Sequence, residues 1–165
     1  ENRVQEAQQR WPLKTQQYKN LEIRLIGPLQ TNKVKQAVKI FDYIHSVDNK
    51  KLAKKISEEM QKVNRNIKIF IQINIGQEEQ KSGVNLSNLD DLFFFCNQLK
   101  LDVIGLMCLP PENKDPKIYF EGMEFLAQKF NLKELSMGMS GDYLKAIEHS
   151  SSFLRIGSDI FGKRY

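Results

Sequence analysis

Two short segments late in the chain combine the residue types that hold a phosphate. The first is Ser136-Met-Gly-Met-Ser-Gly-Asp142, and the second, one helical stretch later, is Phe153-Leu-Arg-Ile-Gly-Ser-Asp-Ile-Phe-Gly162. Each runs from an apolar strand into small residues with free backbone N–H groups, and glycine lets a ligand come close to the main chain. A helix N-terminus places partial positive charge on such N–H groups. Arg155 adds a fixed cation beside them. Side by side at the open ends of parallel strands, the two turns would cradle a small phosphorylated ligand.

Such turns need parallel strands to carry them. Short apolar runs, rich in β-branched or aromatic residues, predict strands over 23–27, 43–47, 67–75, 103–109, 134–138 and 153–156. Amphipathic stretches between them predict helices over 31–39, 49–63, 87–99, 116–130 and 141–149, after an opening helix over 2–10. Ser87 and Asp48 read as N-caps, and Asp90 and Asp91 as acids favoured in a first turn. Strict β-α alternation argues for an α/β fold with a parallel sheet and right-handed crossovers. The pattern fits a doubly wound sheet or most of an eight-stranded TIM-type barrel. No GxGxxG or P-loop motif is present, which weakens the dinucleotide and P-loop versions. In either architecture the ligand lies at the carboxyl ends of the strands. The residues there include Asn32, His45, Asn74, Met107, Ser136 and Arg155, a polar, amide-rich set short of acid/base pairs.

The 165 residues suit one domain, and 41% hydrophobic with 27% charged residues supports a packed core rather than disorder. The apolar runs are too short to span a membrane, so no membrane partner is expected. Cys96 and Cys108 lie in apolar stretches and read as reduced core thiols of a cytoplasmic protein. With His45 and His149 they form no cluster, so no metal site is expected. The net charge of +5 comes from lysines that alternate with acids on helix-like segments without interleaved aromatics, a solvated face rather than a nucleic-acid surface.

Seven separated motifs, in order, resemble one family: Ile26-Gly-Pro-Leu-Gln-Thr-Asn-Lys33, Ile44-His-Ser-Val-Asp48, Ile71-Gln-Ile-Asn-Ile75, Lys81-Ser-Gly-Val84, Gly105-Leu-Met107 and the two phosphate-type segments. The chain is similar to the pyridoxal 5′-phosphate homeostasis proteins, also called proline synthetase co-transcribed homologues. The resemblance implies a barrel like the N-terminal domain of alanine racemase, binding of the vitamin B6 cofactor, and no established catalysis. It implies that Ser140 and the backbone at Gly141, Gly157 and Ser158 hold the cofactor phosphate, that Arg155 faces the pyridine nitrogen, and that Asn2 lies near the cofactor. It also implies a full-length protein that is a monomer. Arg24 stands where the family usually has histidine. The family's cofactor lysine lies on a first strand upstream of the Glu-Asn motif at which this chain begins, and neither Lys33 nor Lys81 has its context. Residues 1–165 therefore read as a single incomplete barrel domain lacking about two strands, a truncated sequence in preference to a fragment or to strands supplied by another chain, and without the lysine the covalent link is impossible.

Plainer roles stand beside these. His45 reads first as a satisfied strand-end histidine, Met107, Met137 and Met139 as packing, and Phe93, Phe94 and Phe95 as a buried helix face. Asp142 reads as a helix cap, and Lys81 as the partner of a nearby acid such as Glu79. The functions in competition are a non-catalytic carrier of pyridoxal phosphate, a pyridoxal-phosphate-dependent racemase, and a phosphosugar barrel enzyme.

Overall fold

The computed structural model describes residues 1–11, 14, 17–18 and 20–162. The expected domain end at Tyr165 lies outside them. Six strands pair in chain order, all parallel: β1 (Arg24–Leu25), β2 (Tyr43–Val47), β3 (Lys68–Ile73), β4 (Asp102–Cys108), β5 (Glu134–Met139) and β6 (Phe153–Arg155). Among the described residues no strand is inserted out of order and no topological switch point occurs, so the doubly wound alternative falls. The sheet is half of a barrel, with helices on its outer face.

Helix α1 (Val4–Arg10) precedes β1. A 3-10 turn (Thr31–Lys33) leads into α2 (Val34–Ile40), followed by α3 (Lys50–Val63), α4 (Leu86–Gln98), α5 (Lys117–Lys129), α6 (Tyr143–Glu148) and α7 (Ser158–Phe161). Strands β2 to β5 bury residues on both faces. Outward residues such as Ile44, Ile69, Ile71 and Leu106 join helix residues Val38, Ile56, Leu92 and Phe120 in the main core. Inward residues Tyr43, Phe70 and Met107, with Ile104, Leu109 and Phe153 against them, form a second cluster in the lumen. Each buried large apolar side chain contributes about 1.5–3 kcal/mol, which favours this two-sided burial.

Element boundaries shift where backbone groups find other partners. Strand β1 keeps only two paired residues, because the Ile23 amide donates to Asp42 Oδ2 (2.8 Å) and the Ile26 amide to the Glu1 carbonyl (2.9 Å). Strand β3 stops at Ile73 because the Asn74 amide turns to the Val84 carbonyl (3.0 Å). Several local roles differ from expectation. Asn49 caps α3 by accepting from the Leu52 amide (2.9 Å), while Asp48 accepts from Asn49 Nδ2 (2.7 Å) and the Gly83 amide (3.3 Å). Asn85, not Ser87, precedes α4, and Asp90 and Asp91 lie past its first turn, paired with Lys129 and Lys50 at 2.6 Å each. Consecutive helical residues cannot share a face, so Phe94 is 62% exposed between half-buried Phe93 and Phe95. Lys81 pairs with Glu78 (2.7 Å) rather than Glu79. Among the described residues no helix is long and apolar enough to cross a membrane.

Candidate functional site: a guanidinium in the lumen beneath two adjoining turns

The period-two alternation of parallel strands carries His45 (β2), Phe70 (β3), Ser136 (β5) and Arg155 (β6) into contact inside the half-barrel. Arg155 donates from Nη1 to Ser136 Oγ (2.8 Å) and from Nη2 to the Cys108 carbonyl (2.8 Å). Both acceptors are neutral, and among the described residues Arg155 takes part in no ion pair. Burial lowers its pKa, with Cys108 and Asp142 acting the other way. A guanidinium remains cationic under such pressure. The site therefore contains an inward-facing positive charge with no direct ion-pair partner among the described residues, Asp142 acting on it only through space.

His45 is 1% exposed, stacked on Phe70 with ring centroids 4.1 Å apart, and edge-on to Phe153. Its Nδ1 lies 2.9 Å from Ser136 Oγ, and its Nε2 has no hydrogen-bond partner. The expected satisfied histidine is satisfied on one side only. Burial, then the charges of Arg155 and Arg24, lowers its pKa to about 3, so the imidazole is neutral. The Cys108 thiol is pushed up to about 12, chiefly by burial. Arg24 places its guanidinium over Tyr43 (4.4 Å to the centroid) and Phe153 (5.0 Å) and pairs with Glu22 (2.6 Å).

Above this lumen the two glycine-bearing turns meet. Ser140 Oγ accepts from the amides of Gly157 and Asp159, each at 3.4 Å, so the turn after β5 and the turn after β6 adjoin. Gly138, at φ +93°, bends the end of β5, and the Met139 amide donates to Asp142 Oδ1 (2.6 Å). Asp142 occupies the cap position of α6, yet its carboxylate serves the β5 turn rather than the helix. A Cβ added at Gly141 or Gly157 would meet nothing within 4 Å, and Gly157 and Ser158 are exposed. The turns leave open space at Gly141 and Gly157, with the Gly157 and Asp159 amides turned toward Ser140 Oγ.

The other candidates fall elsewhere. Asn74 is buried and spent on its own loop, donating to the Glu78 carbonyl (2.8 Å) and accepting from the Glu78 amide (3.1 Å). Asn32 is exposed on the 3-10 turn. Asn2 is exposed, and its carbonyl packs against Gly27, because the Glu1 amine donates to the Arg24 carbonyl (2.8 Å) and extends the ladder along β1. Met107 packs in the lumen cluster. Sequence reasoning missed the Cys108 carbonyl as an anchor and Phe70 as the His45 platform. Strand alternation could have found Phe70; the carbonyl leaves no signal in side-chain types. Two cavities lie away from the turns: about 390 Å³ lined by Asn74, Glu78, Lys81 and Ser87, and about 510 Å³ lined by Glu22, Asp42, Tyr43 and Lys68. No group of three or more metal-ligating side chains occurs among the described residues.

A family profile described as alanine racemase, N-terminal domain, matches residues 1–165. Pyridoxal phosphate homeostasis protein of Aquifex aeolicus is 40% identical over 174 aligned positions, covering 99% of this chain and 75% of that protein. The protein of the same name from Vibrio cholerae is 37% identical, covering 87% of this chain and 65% of that protein. PipY of Synechococcus elongatus, solved with PLP bound, superposes with a TM-score of 0.87 at 30% identity, covering 98% of this chain and 79% of that one. An alanine racemase of Clostridium difficile shares the fold at a TM-score of 0.69 and 14% identity, covering 90% of this chain and 41% of that one.

Proposed function

The chain belongs to the alanine racemase N-terminal domain family, and we propose that it binds pyridoxal 5′-phosphate and serves vitamin B6 homeostasis in the cytoplasm without catalysing a reaction. The observation that carries this reading is Arg155, a lumen cation with two neutral acceptors and no ion-pair partner among the described residues. The residues fit the cofactor on two counts: an unbalanced guanidinium suits an anionic, heteroaromatic ligand, and the space open at Gly141 and Gly157 is wanted by nothing in the fold. Ser140 and the amides of Gly141, Gly157 and Ser158 would hold the phosphate, Arg155 would face the ring nitrogen, and Asn2 would lie near the cofactor. Residues 1–165 act as a single domain, in contact with a small molecule rather than nucleic acid or a membrane.

When bound, the pyridine ring supplies an electron sink whose strength depends on protonation of its nitrogen. Arg155 can donate to that nitrogen but has no acceptor to share a proton, which keeps the sink weak. The neighbouring titratable groups are poor proton carriers near neutrality, His45 being charged only near pH 3 and Cys108 ionised only near 12. Binding and release, rather than racemisation, suit such a site. The names of the Aquifex and Vibrio relatives and the PLP-bound PipY structure support the reading.

Equilibrium dialysis with pyridoxal phosphate, pyridoxal and inorganic phosphate tests it. Charge-assisted hydrogen bonds worth about 1.5–3 kcal/mol predict that loss of the phosphate weakens binding about tenfold to a hundredfold. Equal affinity for pyridoxal and its phosphate would count against the cradle, and racemisation of alanine at ordinary enzymatic rates would count against a carrier.

A further inference from the structure

We propose that Ser136 and His45 are positioning residues that lock the Arg155 guanidinium through a one-way relay, Arg155 to Ser136 to His45, with the His45 proton on Nε2. The inference rests on the reading that Arg155 faces the ligand ring.

The donors and acceptors determine the direction. Arg155 has no acceptor atom, so at 2.8 Å it must donate to Ser136 Oγ. Ser136 is 0% exposed, and its hydroxyl proton needs an acceptor. The remaining partner of Oγ is His45 Nδ1 at 2.9 Å. A proton on Nδ1 would set two donors on one oxygen and strand the hydroxyl hydrogen. The arrangement that satisfies the guanidinium, the hydroxyl and the Nδ1 edge puts the lone pair on Nδ1 and the hydrogen on Nε2. That hydrogen has no partner, since Nε2 is buried without a hydrogen bond. An unpaired donor costs stability, and the Nδ1 bond to Ser136 is the hydrogen bond that the ring makes.

The rest of the surroundings hold the relay rigid. Phe70 stacks on the imidazole at 4.1 Å and Phe153 meets it edge-on, fixing the ring plane. The Cys108 carbonyl takes the second guanidinium nitrogen at 2.8 Å. With Nη1 and Nη2 each anchored on a different strand, the planar fork cannot swing, and its remaining N–H groups keep one direction. Preorganised donors lose little on binding.

Two measurements test the relay. Long-range ¹H–¹⁵N NMR of the imidazole, on the protein alone, should show His45 as the Nε2–H tautomer; the Nδ1–H tautomer would overturn the proposal. Affinities for pyridoxal phosphate and inorganic phosphate are then compared across variants. His45→Phe and Ser136→Ala should lower pyridoxal phosphate affinity about tenfold, the worth of one charge-assisted hydrogen bond, and leave phosphate affinity unchanged. His45→Asn, which restores an acceptor close to the Nδ1 position, and Ser136→Thr should recover most of the loss. Equal losses for both ligands, or no loss, would overturn the positioning role. If the unaltered protein bound neither ligand, the cofactor reading would fail, and the tautomer would still decide the relay by itself.

Discussion

Arg155 anchors the site because the fork of its guanidinium reaches two strands at once, β4 through the Cys108 carbonyl and β5 through Ser136. Lysine keeps the charge but cannot make both bonds in one plane. Arg155→Lys should therefore weaken pyridoxal phosphate binding about tenfold while lowering stability by about 1 kcal/mol, read from dialysis and urea unfolding. Undiminished affinity would place the ring elsewhere. Gly157→Ala separates binding from folding at the same scale. The new methyl meets nothing within 4 Å of the protein, and residue 157 has a negative φ of −126°. Its melting temperature should stay unchanged while phosphate affinity falls. A melting temperature that drops would give the glycine a structural role instead.

At the scale of elements, the end of β5 positions the Ser140 turn. Gly138 has φ +93°, and a Cβ there would lie 2.6 Å from the Ala146 Cβ of α6 and 3.0 Å from Leu154 Cδ2 of β6. Strain and overpacking together predict that Gly138→Ala costs about 2–4 kcal/mol in urea unfolding. A cost under ~1 kcal/mol would mean that the turn relaxes freely. The same element shows what a sequence can disclose. The strands were legible because buried parallel strands are apolar on both faces: 43–47 is matched residue for residue by β2. Their ends were less legible, since Ile23 and Ile26 have the composition of strand but give their amides to Asp42 and Glu1. Caps misled for a related reason. Asp48, Asn49, Asn85 and Ser87 all have capping chemistry, and only the path of the chain decides which side chain faces a free amide.

For the whole molecule, buried neutral His45 makes stability depend on pH. The unfolded chain binds a proton near the ordinary value of 6.5, and the folded chain only near 3. Below 6.5 the unfolded state holds more protons, so stability is full above that pH and falls between 6.5 and 3 by about 1.4 kcal/mol per unit. Carboxylates with lowered pKa, such as Asp115, fall in the same direction, so the useful quantity is the difference between the protein and His45→Asn. Between pH 7 and 5 that difference should shift by about 2 kcal/mol in favour of the variant. A flat difference would mean that His45 titrates in place. Sequence alternation announced a parallel α/β fold but left barrel and doubly wound sheet open, because strand order is a long-range property. The order β1 to β6 settled it. The Ser140 and Arg155 segments were legible from their glycines as turns at strand ends, the basis of the proposed phosphate cradle. Their meeting at 3.4 Å was not, since only the curvature of the sheet brings the two turns together.

The most direct test is a crystal of the protein soaked with pyridoxal 5′-phosphate. The phosphate should lie between the Ser140–Gly141 turn and the amides of Gly157 and Ser158, with the pyridine edge toward Arg155. A phosphate bound in either cavity, beside Lys81 or beside Lys68, with the two turns empty, would contradict the account.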